Sequence, residues 1–301
     1  MTVKSLVKQF RPYLTAYIYF CIKKTNVTTV RFDKMQGTGN DYVYIDARKE
    51  VIENPELLAV KISNRHFGVG SDGLALIMKS SIADFRMRMF NADGSESAMC
   101  GNAARCIGKY VYEKDLTDKT NITLETGAGI KTLRLTVADG KAVRVRVDMG
   151  VPRLEAGQIP VSAPDVLHVP INGMNFTCVS MGNPHAVTFI DDVSGIDVAG
   201  LGSAVENYPL FPERTNVEFA EIVTPGRIRM RVWERGTGET LACGTGACAT
   251  LVAAVLNGMA ERKATIELPG GEVEVEWNEQ TNMVTLTGGV EWVFSGEFKC
   301  K

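Results

Sequence analysis

Two cysteines, Cys100 and Cys243, stand 143 residues apart in the same local setting. Arg86-Met-Arg-Met-Phe-Asn91-Ala-Asp-Gly-Ser-Glu96-Ser-Ala-Met-Cys100-Gly-Asn102 aligns without a gap on Arg229-Met-Arg-Val-Trp-Glu234-Arg-Gly-Thr-Gly-Glu239-Thr-Leu-Ala-Cys243-Gly-Thr245. The same offset lays Gly39-Asn40 on Gly182-Asn183 and Gly127 on Gly270. Two related halves packed about a pseudo-twofold axis would bring two equivalent thiols to opposite sides of one cleft. Inverting a carbon centre needs such a pair: one group takes a proton from one face and the other returns a proton to the opposite face.

Each cysteine is followed by glycine and small residues that can open a helix: Cys100-Gly-Asn-Ala-Ala and Cys243-Gly-Thr-Gly-Ala. A thiol at a helix N-terminus faces the positive end of the dipole and free N–H groups, which favour thiolate. The same N–H groups form an anion site. A substrate carboxylate held by both helix starts would take up charge as its α-proton leaves, and the donors would stabilise that charge. Most free cysteines are small buried hydrophobes; that reading is kept for Cys21, Cys106, Cys178, Cys248 and Cys300, which lack the duplicated context. A zinc site built from Cys100, Cys106, Cys243 and Cys248 is disfavoured. Its ligands would point to different helix faces, whereas zinc ligands usually arrive on tight turns. There is no Cys-x-x-Cys, as a redox dithiol would need, and no metal is expected.

The elements that must position these thiols follow from the hydrophobic periods. Val143 to Val147, Ile228 to Val232, Val273 to Trp277 and Leu133 to Leu135 alternate with period two, as half-buried strands do. Asn54-Pro55 predicts a capped helix start running to Asn64. A second helix begins near Cys100 and passes through Ile107, Tyr110 and Val111. A third begins near Cys243, runs to Leu256 and stops at Gly258; it is apolar nearly all round and so must be buried on every face. Alternating strands around buried helices predict an α+β fold of two pseudo-symmetric halves, each a curled mixed or antiparallel sheet around a central helix, with the active site in the cleft between them. The expected organisation is an N-terminal extension over 1–29, a first lobe over 30–147 completed by 289–301, and a second lobe over 148–288. Lys4, Lys8 and Arg11 precede an apolar run in the extension that is too short to span a membrane, and it lacks a small-residue cleavage site.

The 301 residues carry a net charge of -2, which supplies no basic field for nucleic acid or anionic lipid. Seven cysteines in a chain of this length do not form a disulfide framework and fit a reducing cytoplasm. Gly68-Val-Gly-Ser-Asp-Gly73 matches the dinucleotide-binding pattern, but a helix precedes it and a strand follows, the reverse of what that fingerprint requires. It reads instead as a glycine loop at the cleft.

Taken together, Gly37-Thr-Gly-Asn40-Asp-Tyr, Arg65-His-Phe-Gly-Val-Gly70, Phe90-Asn-Ala-Asp-Gly-Ser-Glu96, Cys100-Gly-Asn-Ala-Ala-Arg105, Met181-Gly-Asn-Pro-His185, Thr215-Asn-Val217, Trp233-Glu-Arg-Gly236 and Ala242-Cys-Gly-Thr-Gly-Ala-Cys248 resemble the diaminopimelate epimerase family from about Val30 to the C-terminus. The resemblance implies a cofactor-independent isomerase, expected as a homodimer, that interconverts LL- and meso-diaminopimelate in lysine and peptidoglycan precursor synthesis. It implies Cys100 and Cys243 as the catalytic thiolate and thiol, tuned by His185 and Glu234. It implies that Gly101, Asn102, Gly244 and Thr245 hold the reacting carboxylate. Asn40, Asn91, Asn183, Asn216, Glu234 and Arg235 would hold the amino and remaining carboxylate groups. Many members have glutamine where this chain has Gly73. A proline or hydroxyproline racemase would share the architecture, but the Glu234-Arg235 pair and the asparagine set suit a longer, doubly charged substrate. A non-catalytic amino-acid binding protein and a redox sensor closing Cys100 on Cys243 are the rivals from other classes.

Overall fold

The computed structural model describes residues 28–49 and 51–300; most of the 1–29 extension lies outside them. Among the described residues four α-helices stand among short strands: α1 (Pro55–Ser63), α2 (Gly101–Glu113), α3 (Val198–Glu206) and α4 (Gly244–Leu256). The offset of the cysteines relates the helices as well: α1 corresponds to α3 and α2 to α4, start to start and end to end. No helix among the described residues is long and apolar enough to cross a membrane.

The first half begins with the antiparallel pair Thr28–Gly37 and Asn40–Asp46. The latter lies parallel to Gly73–Met78, which runs antiparallel to Phe85–Asn91. The sheet continues through Asn121–Thr126 and Gly129–Ala138 to Lys141–Gly150. The second half repeats this path, from Met174–Ser180 and Pro184–Phe189 through Asn216–Thr224 and Arg227–Glu234 to Lys263–Leu268, Gly271–Trp277 and Val284–Gly288. Val284–Gly288 pairs antiparallel with Lys141–Gly150, so the last strands of the two halves fuse the sheets. The final strand, Glu291–Cys300, crosses back to pair with Thr28–Gly37. The α+β class read from the sequence is the class of the structure.

Period two decides which side chains face inward. In Lys141–Gly150, Val145, Val147 and Met149 are buried while Arg144 is exposed. In Arg227–Glu234, Ile228, Met230 and Val232 face the core. These faces wrap α2 and α4. Every residue of α2 from Gly101 to Val111 is buried, as is α4 from Gly246 to Ala254. One apolar cluster contains residues of both helices and runs through both halves. Each fully buried Leu or Val adds about 1.5–3 kcal/mol, and that shared core sets the relative position of the two helix starts.

The α1 boundary departs from expectation. Asn54 adopts a left-handed backbone at φ 52° and makes no side-chain capping hydrogen bond. Asparagine tolerates that region, and Pro55 at the first helical position carries the start by its fixed φ. Gly70, at φ 79°, turns the chain between α1 and the strand Gly73–Met78, so the glycine-rich stretch is a loop from helix to strand.

Gly73 has its own cause. A Cβ placed there would lie 2.1 Å from the Phe90 carbonyl oxygen and 2.6 Å from Tyr42 Cε1. The strands close at this point because no side chain separates them. Gly73→Ala is therefore expected to destabilise the protein by about 2–4 kcal/mol. Gly195→Ala, where a Cβ meets nothing within 4 Å, should change stability by less than about 0.5 kcal/mol. Urea unfolding of the two variants measures the difference.

Candidate active site

Helices α2 and α4 meet start to start. A Cβ added at Gly244 would lie 3.9 Å from the Gly101 Cα and 3.5 Å from Asn102 Oδ1. The two helix starts are therefore in van der Waals range of each other. Cys100 and Cys243 are the N-cap residues of the two helices and share one extended backbone, φ −133° and ψ 125° against φ −126° and ψ 112°. The two duplicated cysteines therefore stand on either side of a single junction. Gly127 and Gly270 keep their correspondence too. A Cβ on the first would press on Ala98 and on the second would press on Leu241, residues that the repeat also pairs.

The polar surroundings gather on this junction. The Cys100 Sγ donates to Asn40 Oδ1 at 3.5 Å, and Asn40 Nδ2 donates to Asp72 Oδ2 at 2.8 Å. Arg65 bridges Asp41 and Asp72 at 2.9 and 2.8 Å, and Lys34 pairs with Asp41 at 2.7 Å. This network holds the Asn40 amide with its oxygen toward the thiol. On the other side, Gly246 N–H donates to Cys243 Sγ at 3.4 Å, and Thr245 Oγ1 lies 3.5 Å from the same sulfur. Asn183 Nδ2 donates to Thr245 Oγ1 at 3.2 Å, while its Oδ1 lies 3.1 Å from His185 Nε2. The Glu234 carboxyl is hydrogen-bonded to Cys243 and accepts from Thr240 Oγ1 at 2.5 Å.

Three expected ligands, Asn216, Arg235 and Asn91, are hydrogen-bonded within the protein. Asn216 donates to the Pro184 carbonyl at 2.7 Å and accepts from the Arg235 N–H at 3.0 Å, so both ends of its amide tie backbone together. The Arg235 guanidinium rests on the Glu213 carbonyl at 2.8 Å. Asn91 donates to Ser95 Oγ at 3.0 Å, within its own turn. Of the cysteines assigned to packing, Cys106, Cys178 and Cys248 are fully buried and Cys300 is partly exposed, while Cys21 lies outside the described residues. Among the described residues no cluster of three or more His, Cys, Asp or Glu side chains is arranged to hold a metal ion.

Cys243 is buried and Cys100 half-buried, and this desolvation overrides the simple expectation that a helix start favours thiolate. Burial pushes Cys100 up, and the Ala103 and Asn102 amides pull it only part of the way back. Burial pushes Cys243 much higher, and the charges of Glu234 and Glu218 push the same way. Burial also raises Glu234, against the hydrogen bonds from Thr240 and Cys243. The two stations thus share a backbone but differ in field. Glu234 raises both thiols; at Cys100 the Arg105 cation opposes it, while at Cys243 Glu218 adds to it.

Several contributors escaped the sequence. Glu218 is fully buried and lies 2.7 Å from His185 Nδ1. Its place two residues after Asn216 on one strand puts both on the same face, a period-two signal that could have found it. Glu206 accepts from Trp233 Nε1 at 2.7 Å, Gly236 N–H at 2.9 Å and Arg214 Nη1 at 3.0 Å, so a buried carboxylate at the end of α3 fixes the turn bearing Glu234 and Arg235. No local pattern marks Glu206. A cavity of about 510 Å³ lies at the opposite end of α2, beside Tyr112, Glu113 and Lys141, away from both thiols.

The diaminopimelate epimerase family model matches residues 32–155 and 177–293. The diaminopimelate epimerase of Acetivibrio thermocellus is 56% identical over 274 residues, covering 89% of this chain and 98% of that protein. The chain belongs to the diaminopimelate epimerase family. The family's enzyme from Methanococcus maripaludis strain C5 is 54% identical, with 89% of this chain and 99% of that protein covered. Among solved structures, the PhzF-family phenazine biosynthesis protein of Bacillus anthracis superposes with a TM-score of 0.67 at 17% identity, covering 91% of this chain and all (100%) of the other. A hydroxyproline epimerase from Agrobacterium vitis gives 0.66 at 15% identity, covering 90% of this chain and 91% of its own. These two likenesses establish the shared fold.

The fields around the thiols set an order of reactivity. Raising a thiol pKa lowers its thiolate fraction at a given pH, and only thiolate is alkylated. Cys243, raised further than Cys100, should therefore react with iodoacetamide more slowly at every pH between 7 and 10. Peptide mapping of the alkylated protein reads the order; faster reaction at Cys243 would contradict these electrostatics.

Proposed function

We propose that the protein interconverts LL- and meso-2,6-diaminopimelate, with Cys100 and Cys243 as its two acid–base groups. The observation that carries this reading is the start-to-start meeting of α2 and α4, which sets the two N-cap cysteines about one junction. The substrate follows from the activity for which the family is named.

The chemistry balances with side chains alone. The thiolate of one cysteine takes the α-proton, breaking C–H and forming S–H. The electron pair left on carbon is delocalised into the adjacent carboxylate. The other cysteine then gives its proton to the opposite face, breaking S–H and forming the new C–H, and is left as thiolate. The reverse reaction exchanges the roles. The α-carboxylate belongs at the junction, where Gly101, Asn102, Gly244 and Thr245 open the helices and their free N–H groups meet the growing negative charge. Burial of Cys243 and partial burial of Cys100 lower the local dielectric and strengthen those interactions. The Asn40 amide oxygen and the Glu234 carboxyl suit an ammonium group. Arg235 suits the distal carboxylate once it leaves the Glu213 carbonyl. His185, spanning Glu218 and Asn183, braces the Cys243 side through Thr245. Cys100 is the better resting base, since it carries the smaller upward shift.

Cys100→Ala and Cys243→Ala should each reduce inversion by at least about 10³-fold while leaving the far-ultraviolet circular dichroism unchanged. In D2O, deuterium should enter the α-position of product as inversion proceeds, read by proton NMR on LL-diaminopimelate. Either single variant at wild-type turnover, or product without label, would remove the two-thiol scheme.

A further inference from the structure

Helix α2 carries a buried cation that has no ion-pair partner among the described residues. The Arg105 side chain has no exposed surface. Its Nη2 donates to Asn102 Oδ1 at 2.6 Å and to Thr38 Oγ1 at 3.1 Å, and its Nη1 donates to the Gly289 carbonyl at 3.0 Å. Its Nε has no partner. Among the described residues no carboxylate forms an ion pair with it; the ionisable groups closest in effect are Cys100, Cys106, Cys248 and Tyr44, all neutral when protonated. Burying an uncompensated charge costs several kcal/mol, so such a group persists only where its surroundings are built for it.

The surroundings are built. A Cβ at Gly288 would lie 1.8 Å from Nη1, and one at Gly37 would lie 3.2 Å from Nη2. Two strand ends, one of them on the strand that fuses the halves, leave out side chains to admit the guanidinium. The repeat adds an asymmetry. The offset that pairs Cys100 with Cys243 sets Arg105 against Cys248 and Asn102 against Thr245. The cation therefore belongs to one station only, within a junction that is otherwise duplicated.

We propose that Arg105 is a positioning residue for the reaction, with two effects that arise from one side chain. Its charge favours Cys100 as thiolate, the one neighbour that must become negative in the two-thiol scheme. Its fork fixes the Asn102 amide: a guanidinium only donates, so Oδ1 must face it and Nδ2 is left for the substrate carboxylate at the helix junction. This rests on the reading of Cys100 as an acid–base group. The field at Cys100 also includes Glu234, which opposes Arg105, and the phenols of Tyr42 and Tyr44.

Arg105→Lys and Arg105→Met in the full chain separate the two effects. The readouts are thermal unfolding, the pH midpoint of Cys100 alkylation by iodoacetamide, and kcat and KM for LL-diaminopimelate. Both variants are expected to fold. Met should raise the Cys100 midpoint by about one pH unit, as loss of a nearby charge does, while Lys should leave it within about 0.3 unit of wild type. Both should lose about tenfold or more in kcat/KM, because neither holds the Asn102 amide as the fork does. An unchanged midpoint in Arg105→Met, or wild-type kcat/KM in Arg105→Lys, overturns the proposal. So does unfolding of both variants, which would assign the arginine to the frame alone. The midpoint is independent of turnover: if Cys100→Ala keeps full activity, the base assignment fails while the midpoint still reports the charge of Arg105.

Discussion

The structure depends on one steric condition: two helices must touch at their N-termini. Helix starts carry partial positive charge and unpaired N–H groups, so their approach is electrostatically unfavourable and needs an external force. That force is the shared apolar core, in which α2 and α4 are buried along most of their length. Gly101 and Gly244 then meet at the junction, a Cβ on the second lying 3.9 Å from the Cα of the first. The repulsion left at the junction is what an anion relieves. In the proposed reaction, hydrophobic packing thus prepares the junction for the substrate carboxylate.

The second condition is asymmetry. Duplication supplies two thiols with matching backbone, but an acid–base pair works best when one member starts charged and the other neutral. The two halves differ in a way that fits the proposed roles. Near Cys243 the strands carry Glu218 and Glu234, whose charges hold the proton on sulfur. The Cys100 side holds the polar face of α2, where Asn102, Arg105 and Lys109 follow one another at helical spacing. The corresponding positions of α4 are Thr245, Cys248 and Val252, which carry no formal charge as thiol, alcohol and hydrocarbon.

The sequence showed most where a regular period was at work. Alternation in Lys141–Gly150 and Arg227–Glu234, the all-round apolarity of α4 and the fixed offset between the cysteines were enough to read a sheet wrapped about paired helices. It showed less where long-range contact decides. That Asn216 would spend its amide on Pro184 and Arg235 depends on strands being brought together, and asparagine is equally at home as ligand or as brace. The Asn54 backbone departs from a capping geometry because Pro55 already supplies the helical φ. The raised thiols reflect enclosure, a property of the assembled core that no local motif encodes. Glycine at position 73 is explained by a carbonyl 17 residues further along the chain, that of Phe90.

The crossing of the final strand bears on how the chain can be made. Thr28–Gly37 has Asn40–Asp46 on one edge and Glu291–Cys300 on the other. As the polypeptide leaves the ribosome, that second edge stays bare until residues 291–300 have been made. An unpaired strand edge invites misassociation with other chains. The bare interval falls on the strand that leads into Gly37 and Asn40, so the proposed site is sealed only after Glu291–Cys300 has emerged. Premature termination would leave a polypeptide with both thiols present and the first sheet open.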